Sequence, residues 1–506
     1  MENTGKKVLN VTVISIISKV LAMVGIVMYQ SRFGLFDDRL NMFSYAQTLQ
    51  TSIFTMLGTT LTTIIVPVYS SFLAKGEIER GKRYIDNILT LALAFVIVLV
   101  VVLHFLTPWI VSATSYEASF GTFAMRLLMP VMLFFAVRDI LSGLVQSHGH
   151  FGAAAAASLP SSLVTILYVL FFSERFGVAG LVVSTLIGYA LQALILLPDT
   201  RRTGYRYRFS FGLKDRDVLA SLKLTPSVLL GVSAYQINLM YNNNLSTVFN
   251  ATNVIAFMLN IILVPVLALT MSITAVYYPK MTAQWASGDT GGYKQSIRDI
   301  LQVIAFIFLP MAVGLFLLRF DLMEILLSSG KITAEELRMS GEILGLFALS
   351  LVTVGIKEAL DKVLYAQQKT LPSGLVGILM MAANILISSV LRHHIGVYAL
   401  PCSYTISSFI GAAALFMAVR KKVGALGILP EILKFIISAV AMGGVVYVAG
   451  TIMGQALPGA ALSAQLLRAG VSVLTGIAVY MGMAVLLKVN YASVLWQKAA
   501  YLIKRR

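Results

Sequence analysis

The chain has 506 residues, of which 58% are hydrophobic and 12% charged, with a mean hydropathy of +0.85. That balance excludes a soluble globular domain, and the single cysteine, Cys402, excludes an internal disulfide and any cysteine-based metal site. The formal charge of +17 is read as loops facing anionic lipid, with no nucleic acid as partner.

Apolar runs recur from end to end, each long enough to cross a hydrocarbon core of about 30 Å as helix. In chain order they predict fourteen spans, near residues 8–33, 39–72, 83–108, 119–147, 152–173, 177–198, 217–248, 252–279, 295–318, 338–367, 371–391, 395–419, 429–453 and 464–488. The first is too long for a signal-peptide core and is not followed by a small-residue cleavage site, so it is expected to stay in the mature protein. Lys and Arg gather in alternate loops: Lys6 and Lys7; Lys75 to Arg83; Arg201 to Arg216; Lys280 to Arg298; Lys369; Arg420 to Lys422; and Lys498 to Arg506. The remaining loops hold only Arg39, Arg175, Arg319, Lys331, Arg338 and Arg392. Both termini are therefore expected in the cytoplasm. The last stretch, "YASVLWQKAAYLIKRR", has the composition of either an interfacial helix or a plain basic tail.

An internal repeat organises these spans. With Pro67 set against Pro279, "VPVYSSFLAKGEIERGKRYIDNIL" (66–89) aligns without a gap to "YYPKMTAQWASGDTGGYKQSIRDIL" (277–301), pairing Ala74 with Ala286, Gly76 with Gly288 and Glu77 with Asp289. A second match, "VRDILSGLVQ" (137–146) against "IKEALDKVLY" (356–365), pairs Arg138 and Asp139 with Lys357 and Glu358. The expected architecture is an all-α polytopic membrane protein of fourteen transmembrane helices: a lobe of six over residues 1–200, a like-oriented lobe of six over 201–424, two further helices over 425–490 and a basic tail over 491–506. Parallel repeats of this kind usually carry the substrate path between them.

The chemistry concentrates in the polar residues of the spans. Lys19 lies mid-way along span 1, about 16 Å of helix from either end at ~1.5 Å per residue, beyond the reach of a snorkelling stem. An unpaired cation at that depth costs several kcal/mol or more, so it should face water, a partner or a substrate. Ser15 and Gln30 share its helical face. Span 2 carries Ser44, Thr48, Thr51, Thr55, Thr59 and Thr62 in one stripe, which favours a water-lined surface over isolated back-bonded hydroxyls. Span 7 carries Tyr235, Asn238, Asn242 and Ser246, and span 8 carries Asn253 and Asn260. Adjacent residues of a helix point about 100° apart, so Arg138, Asp139, Lys357 and Glu358 are each free to pair with another helix, as structural or gating salt bridges. His148, His150, His393 and His394 sit at predicted span ends, more as interfacial groups than as metal ligands. No nucleotide loop, zinc helix or nucleophile elbow is present, so the expectation is a transporter without cofactor or metal.

The span pattern, "SKVLAMVG" in span 1, "IIVPVY" ending span 2 and "LGVSAYQINLMYNNNLSTVF" in span 7 together resemble the MurJ-type lipid II flippases of the multidrug/oligosaccharidyl-lipid/polysaccharide exporter superfamily. The resemblance implies two lobes around a cationic cavity for the diphosphate-sugar-peptide headgroup, a groove for the polyprenyl tail on the last two helices, and alternating access in the bacterial cytoplasmic membrane. It places the family's serine and arginine of helix 1 on Ser18 and Lys19. It also marks departures: the next arginine-aspartate pair falls on Gly25 and Ile26, the helix 2 arginine and glutamate on Ile53 and Gly58, and the helix 8 serine and arginine on Asn253 and Asn260. A sodium site would fall on Asn242, Asn384 and Ser388, without the usual carboxylates. Taken with the polar faces read above, the candidate substrate-contact set is Ser18, Lys19, Gln30, Thr55, Lys223, Asn242, Asn253 and Asn260, with Arg32, Arg39 or Lys223 as candidates to replace missing arginines.

With no ATP site, membrane potential or an ion gradient is the expected drive. Peptidoglycan polymerases are expected downstream partners, membrane lipids the surroundings, and a monomer the working unit. The alternatives are a flippase for another undecaprenyl-diphosphate saccharide of O-antigen, capsule or teichoic type, a drug/cation antiporter, disfavoured because the charge in span 1 is a cation, and a membrane glycosyltransferase, disfavoured by the lack of an acidic site.

Overall fold

The computed structural model describes residues 2–327, 332–456 and 462–489; the tail over 491–506 lies outside them. Every regular element among the described residues is a helix. The chain divides into two compact units, Met1–Val254 and Ile255–Arg506.

The first unit holds α1 (Glu2–Phe33), α2 (Asp38–Ala74), α3 (Ile78–Ser112), α4 (Ala118–Leu128), α5 (Val131–Ser147), α6 (Phe151–Ala156), α7 (Leu159–Phe171), α8 (Ser173–Leu194), α9 (Leu197–Arg202) and α10 (Arg216–Thr247), and the first residues of α11 (Thr252–Ala286). The second holds the rest of α11, then α12 (Thr290–Leu317), α13 (Arg319–Leu327), α14 (Ala334–Ala348), α15 (Leu351–Ala366), α16 (Leu371–Ile395), a 3₁₀ turn over Gly396–Tyr398, α17 (Ala399–Val423), α18 (Leu429–Ala456) and α19 (Leu462–Leu486). Ten stretches are long and apolar enough to cross a bilayer, one of which, Leu371–Val423, contains both α16 and α17. With the long helices α1, α2 and α10 added, the set is compatible with fourteen crossings, and the protein is a multi-pass membrane protein.

Four predicted spans are each broken once, span 6 at Ile195 and Leu196 between α8 and α9. Span 4 becomes α4 and α5 at Pro130, which has no N–H to give the preceding turn. Span 5 becomes α6 and α7 just before Pro160, and span 10 becomes α14 and α15 at Leu349 and Ser350, whose hydroxyl donates to Phe347 O at 2.7 Å.

The sequence repeat has a backbone counterpart in each unit. Ala74 and Ala286 both end their helices, Gly76 and Gly288 both take φ +73°, and Glu77 and Asp289 both precede the next helix. The closing bonds match as well: Glu77 N to Phe72 O and Asp289 N to Gln284 O, each 2.9 Å. After the second aligned segment, Gly149 and Gln368 both have positive φ, and His150 N to Val145 O mirrors Lys369 N to Leu364 O. Two stretches with little identity thus end their helices with the same left-handed cap, which requires glycine or a strained residue at one position.

In the first unit α2 packs along α5 and α10, while α1 packs along α6 and α7. In the second, α18 and α19 pack on each other and on α12 around Phe306, Phe435 and Tyr480, with the Tyr480 hydroxyl donating to Phe306 O at 2.8 Å.

Candidate functional site

Two faces of α1 have different surroundings. Ser18 is buried, its hydroxyl donating to Ile14 O at 2.8 Å and lying 3.4 Å from Ala155 O of α6. One Cβ added at Gly25 would meet Thr165 of α7 at 3.4 Å. The Ser18–Gly25 face is therefore the one docked on α6 and α7. Lys19 is rotated about 100° from it, is exposed, and forms no hydrogen bond or ion pair among the described residues. Ser15 carries no described side chain.

Gln30, eleven residues beyond Lys19 and so within about 20° of its direction, shows where that face looks. It is buried and its amide donates to Asn253 Oδ1 at 3.3 Å, an oxygen that also accepts from Ser44 of α2 at 2.9 Å. Asn253 donates to Leu35 O at 3.2 Å, and its backbone N–H donates to Asn41 Oδ1 at 2.7 Å. Around this centre, Asn243 donates to Tyr45 O at 3.1 Å, Asn250 to Phe36 O at 2.8 Å, and Thr252 bonds both Tyr116 and Ser246 at 2.8 Å. Short turns bring α1, α2, α10 and the start of α11 to one end of the unit, and amides tie the ends together. Lys19 looks from the same side of α1, about three turns away.

In the described part of the hydroxyl stripe of α2, two hydroxyls are taken up by their own helix. Thr51 lies 2.8 Å from Gln47 O and Thr55 2.7 Å from Thr51 O, so both hydroxyls are bonded to their own helix, although Thr55 stays exposed. The side chains of Thr59 and Thr62 lie outside the described residues. In α10, Asn242 donates to Asn238 Oδ1 at 3.4 Å, and Lys223 is exposed. Asn260 is exposed with its amide on Ala256 O at 2.9 Å.

The charge pairs depart from the expected arrangement. Arg138 reaches back to its neighbour, Nη2 lying 2.7 Å and Nε 2.8 Å from Asp139 Oδ1, while Nη1 donates to Gln192 of α8 at 2.7 Å and the guanidinium covers the Phe135 ring at 4.3 Å. The long flexible arginine bridges the 100° between adjacent positions, which the idealised direction of Cβ vectors hides. Gln192 in turn donates to Ser161 of α7 at 2.5 Å, one turn from Thr165, so this layer is level with the Ser18–Gly25 stretch of α1. Asp139 Oδ2 lies only 2.6 Å from where a Cβ at Gly58 would stand. The space that the resemblance gives to a helix 2 glutamate is thus shared by this carboxylate from α5 and the ring of Phe54, 2.5 Å from the same point. In the second unit, Lys357 pairs with Glu358 at 3.1 Å and with buried Asp361 at 2.8 Å, and Asp361 accepts from Ser373 at 2.5 Å.

Two of the three proposed substitutes for missing arginines, Arg32 and Arg39, are engaged. Arg32 pairs with Glu174 at 2.7 Å, and Arg39 with Glu117 at 3.4 Å while covering Phe120 at 5.5 Å. Asn384 and Ser388 are buried between α16 and α17, Asn384 donating to Ser403 at 3.3 Å and Ser388 to Asn384 O at 2.7 Å, while Asn242 belongs to the first unit. His148, His150, His393 and His394 lie at helix ends; His148 faces Tyr69 at 5.6 Å and His150 lies 3.4 Å from Asp199. No cluster able to hold a metal occurs among the described residues. Sequence reading missed Asn41, Thr252 and Gln192, uncharged residues with no spacing signal, and Asp361, whose i+4 position from Lys357 was a usable one.

Comparisons with known proteins agree with this architecture. The family model "Lipid II flippase MurJ" matches residues 37–465. Proteins described as probable lipid II flippase MurJ are similar from Buchnera aphidicola, 23% identical over 72% of this chain and 73% of that protein, and from Borreliella burgdorferi, 20% identical over 83% and 85%. Among solved structures, a lipid II flippase MurJ in an inward closed conformation superposes with a TM-score of 0.80 at 17% identity, covering 94% of this chain and 98% of that one. An inward-facing multidrug resistance MATE family transporter of the MOP superfamily superposes at 0.65 and 16%, covering 82% and 98%. On the strength of a family match across most of its length, the chain belongs to the MurJ lipid II flippase family.

Proposed function

We propose that this protein carries lipid II from the inner to the outer leaflet of a bacterial cytoplasmic membrane by alternating access, with both termini in the cytoplasm. The observation that carries the reading is Lys19: a cation at membrane depth, exposed and without a partner among the described residues, on the face of α1 that at Gln30 bonds to Asn253. A diphosphate is an anion part of whose charge such an ammonium would offset, through charge-assisted hydrogen bonds about twice as strong as neutral ones. In this orientation, the knot centred on Asn253 closes the side away from the cytoplasm, so the headgroup reaches Lys19 from the cytoplasmic leaflet.

Ser18 positions α1 against α6 and does not itself meet the headgroup, because its hydroxyl is buried there. Exposed Lys223, Thr55 and Asn260 remain candidates for headgroup contact. The drive is membrane potential or an ion gradient, peptidoglycan polymerases consume the product, and a monomer suffices. Expression in a bacterium depleted of its own lipid II flippase tests the proposal. Restored growth with lipid II cleared from the inner leaflet is expected. Lipid II accumulation and lysis despite membrane-inserted protein would instead move the assignment to another polyprenyl-diphosphate saccharide.

A further inference from the structure

The connector between α9 and α10, "TGYRYRFSFGLKD" (203–215), plays no part in the transport reading, yet it is built with care onto α3. It begins at Gly204, φ +73°, where an added Cβ would lie 3.9 Å from Lys82 Nζ. Tyr205 is buried and its hydroxyl donates to Asp86 Oδ1 at 2.7 Å, an oxygen that also accepts the backbone N–H of Arg208 at 3.0 Å. Thr90 Oγ1 lies 2.8 Å from the Tyr207 hydroxyl and 3.4 Å from Ser210 N. The chain then returns: Asn87 donates to Asp215 at 3.3 Å, Tyr84 meets Ser221 at 2.8 Å and Arg80 pairs with Asp217 at 2.8 Å. From Lys82 to Thr90 the connector climbs eight helical positions, about 12 Å at ~1.5 Å per residue.

At the top stand two phenylalanines that no described residue covers. Phe209 is 72% and Phe211 47% exposed, their rings edge to face at 5.2 Å, with Leu213 58% exposed beside them. Beyond Thr90, α3 presents Phe95, Ile97, Val98 and Val101 outward, the pattern of a lipid-facing helix surface. Below the rings, Arg206 and Arg208 are exposed and have no ion pair among the described residues. A raised aromatic tip over a basic base, beside a lipid-facing helix, has the chemistry of the boundary between acyl chains and anionic headgroups.

We propose that residues 204–215 form a membrane wedge, with Phe209 and Phe211 inserted at the acyl boundary of the adjoining leaflet and Arg206 and Arg208 holding phosphates of anionic lipids. The backbone bonds to Asp86 and Thr90 fix the wedge to α3, so its depth is set by the fold. Lipid composition thereby acts on the segment that leads into α10, whatever the transported molecule.

The test uses the full chain with Cys402→Ser and Phe209→Cys, labelled with an environment-sensitive fluorophore and placed in phosphatidylcholine vesicles containing phosphatidylglycerol. Lipids carrying a nitroxide near the top of the acyl chain should quench most of the emission, and aqueous iodide little. Strong iodide quenching with no nitroxide quenching overturns the wedge, as does a label shielded from both and crosslinkable to a second copy. Leu213→Cys gives the same reading where Phe209→Cys does not fold. For the headgroup half, replacing part of the phosphatidylcholine by phosphatidylglycerol should raise the unfolding temperature of the parent chain and raise that of Arg206→Gln with Arg208→Gln much less. An equal rise in both overturns it. Neither measurement requires transport, so failure here leaves the lipid II reading standing, and the reverse.

Discussion

Gln30 and Lys19 share one face of α1 and are treated in opposite ways. At Gln30 the side-chain amide is bonded to Asn253, which also bonds to Ser44, Leu35 and Asn41. At Lys19 no described residue answers the charge. Buried polar groups that are satisfied hold a structure together, because losing a partner leaves an unpaired group away from water. A charge left unanswered is available to a ligand.

Four substitutions break or sharpen that contrast. Lys19→Ala should have the largest effect, abolishing rescue of a flippase-depleted bacterium. Loss of a charge-assisted contact of about 1.5–3 kcal/mol corresponds to a loss of roughly 10–100-fold. Its thermal stability should be unchanged and Lys19→Arg should retain rescue; a fully active alanine variant would remove the central residue of the transport reading. Arg138→Ala should act on folding, costing about 2–3 kcal/mol in denaturant titration because Asp139 keeps its burial and loses its cation; the range sits below that of a fully buried pair since both side chains are partly exposed. Adding Asp139→Ala should recover part of that loss.

Asn253→Ala should cost about 2 kcal/mol through the bonds it removes at the α1–α2 and α10–α11 turns, and should make a cysteine at Ser44 more reactive to a membrane-impermeant thiol reagent. Unchanged reactivity would mean that the knot does not close that end. Tyr205→Phe should be smallest, about 1 kcal/mol in the same titration, since Asp86 keeps the Arg208 N–H.

Particular residues show what could be read from the chain alone. The placement of the membrane-spanning stretches followed from apolar runs, in a pattern compatible with fourteen crossings, and the repeat from Gly76 and Gly288, whose shared φ of +73° is a backbone requirement visible as a residue type. Lys19 was legible because an ammonium in an apolar run is costly wherever the helix points. The partner of Arg138 was not, since four rotatable bonds let it reach its neighbour, Gln192 and Phe135 at once. Nor was the place of Asp139 against Gly58, where the absence of a Cβ on α2 admits an oxygen from α5.

Sequence by itself determined that this is a multi-pass helical membrane protein, where its apolar spans run and that they repeat, because hydrocarbon forces backbone bonds to be satisfied within each span and makes every buried charge conspicuous. Tertiary structure alone decided which polar groups are consumed and which are left over. Asn41, Asn253 and Thr252 become a closed knot, Arg32 and Arg39 are taken by local acids, and Lys19 remains, because partnership depends on which helix ends meet and on side-chain reach, neither of which a one-dimensional pattern records.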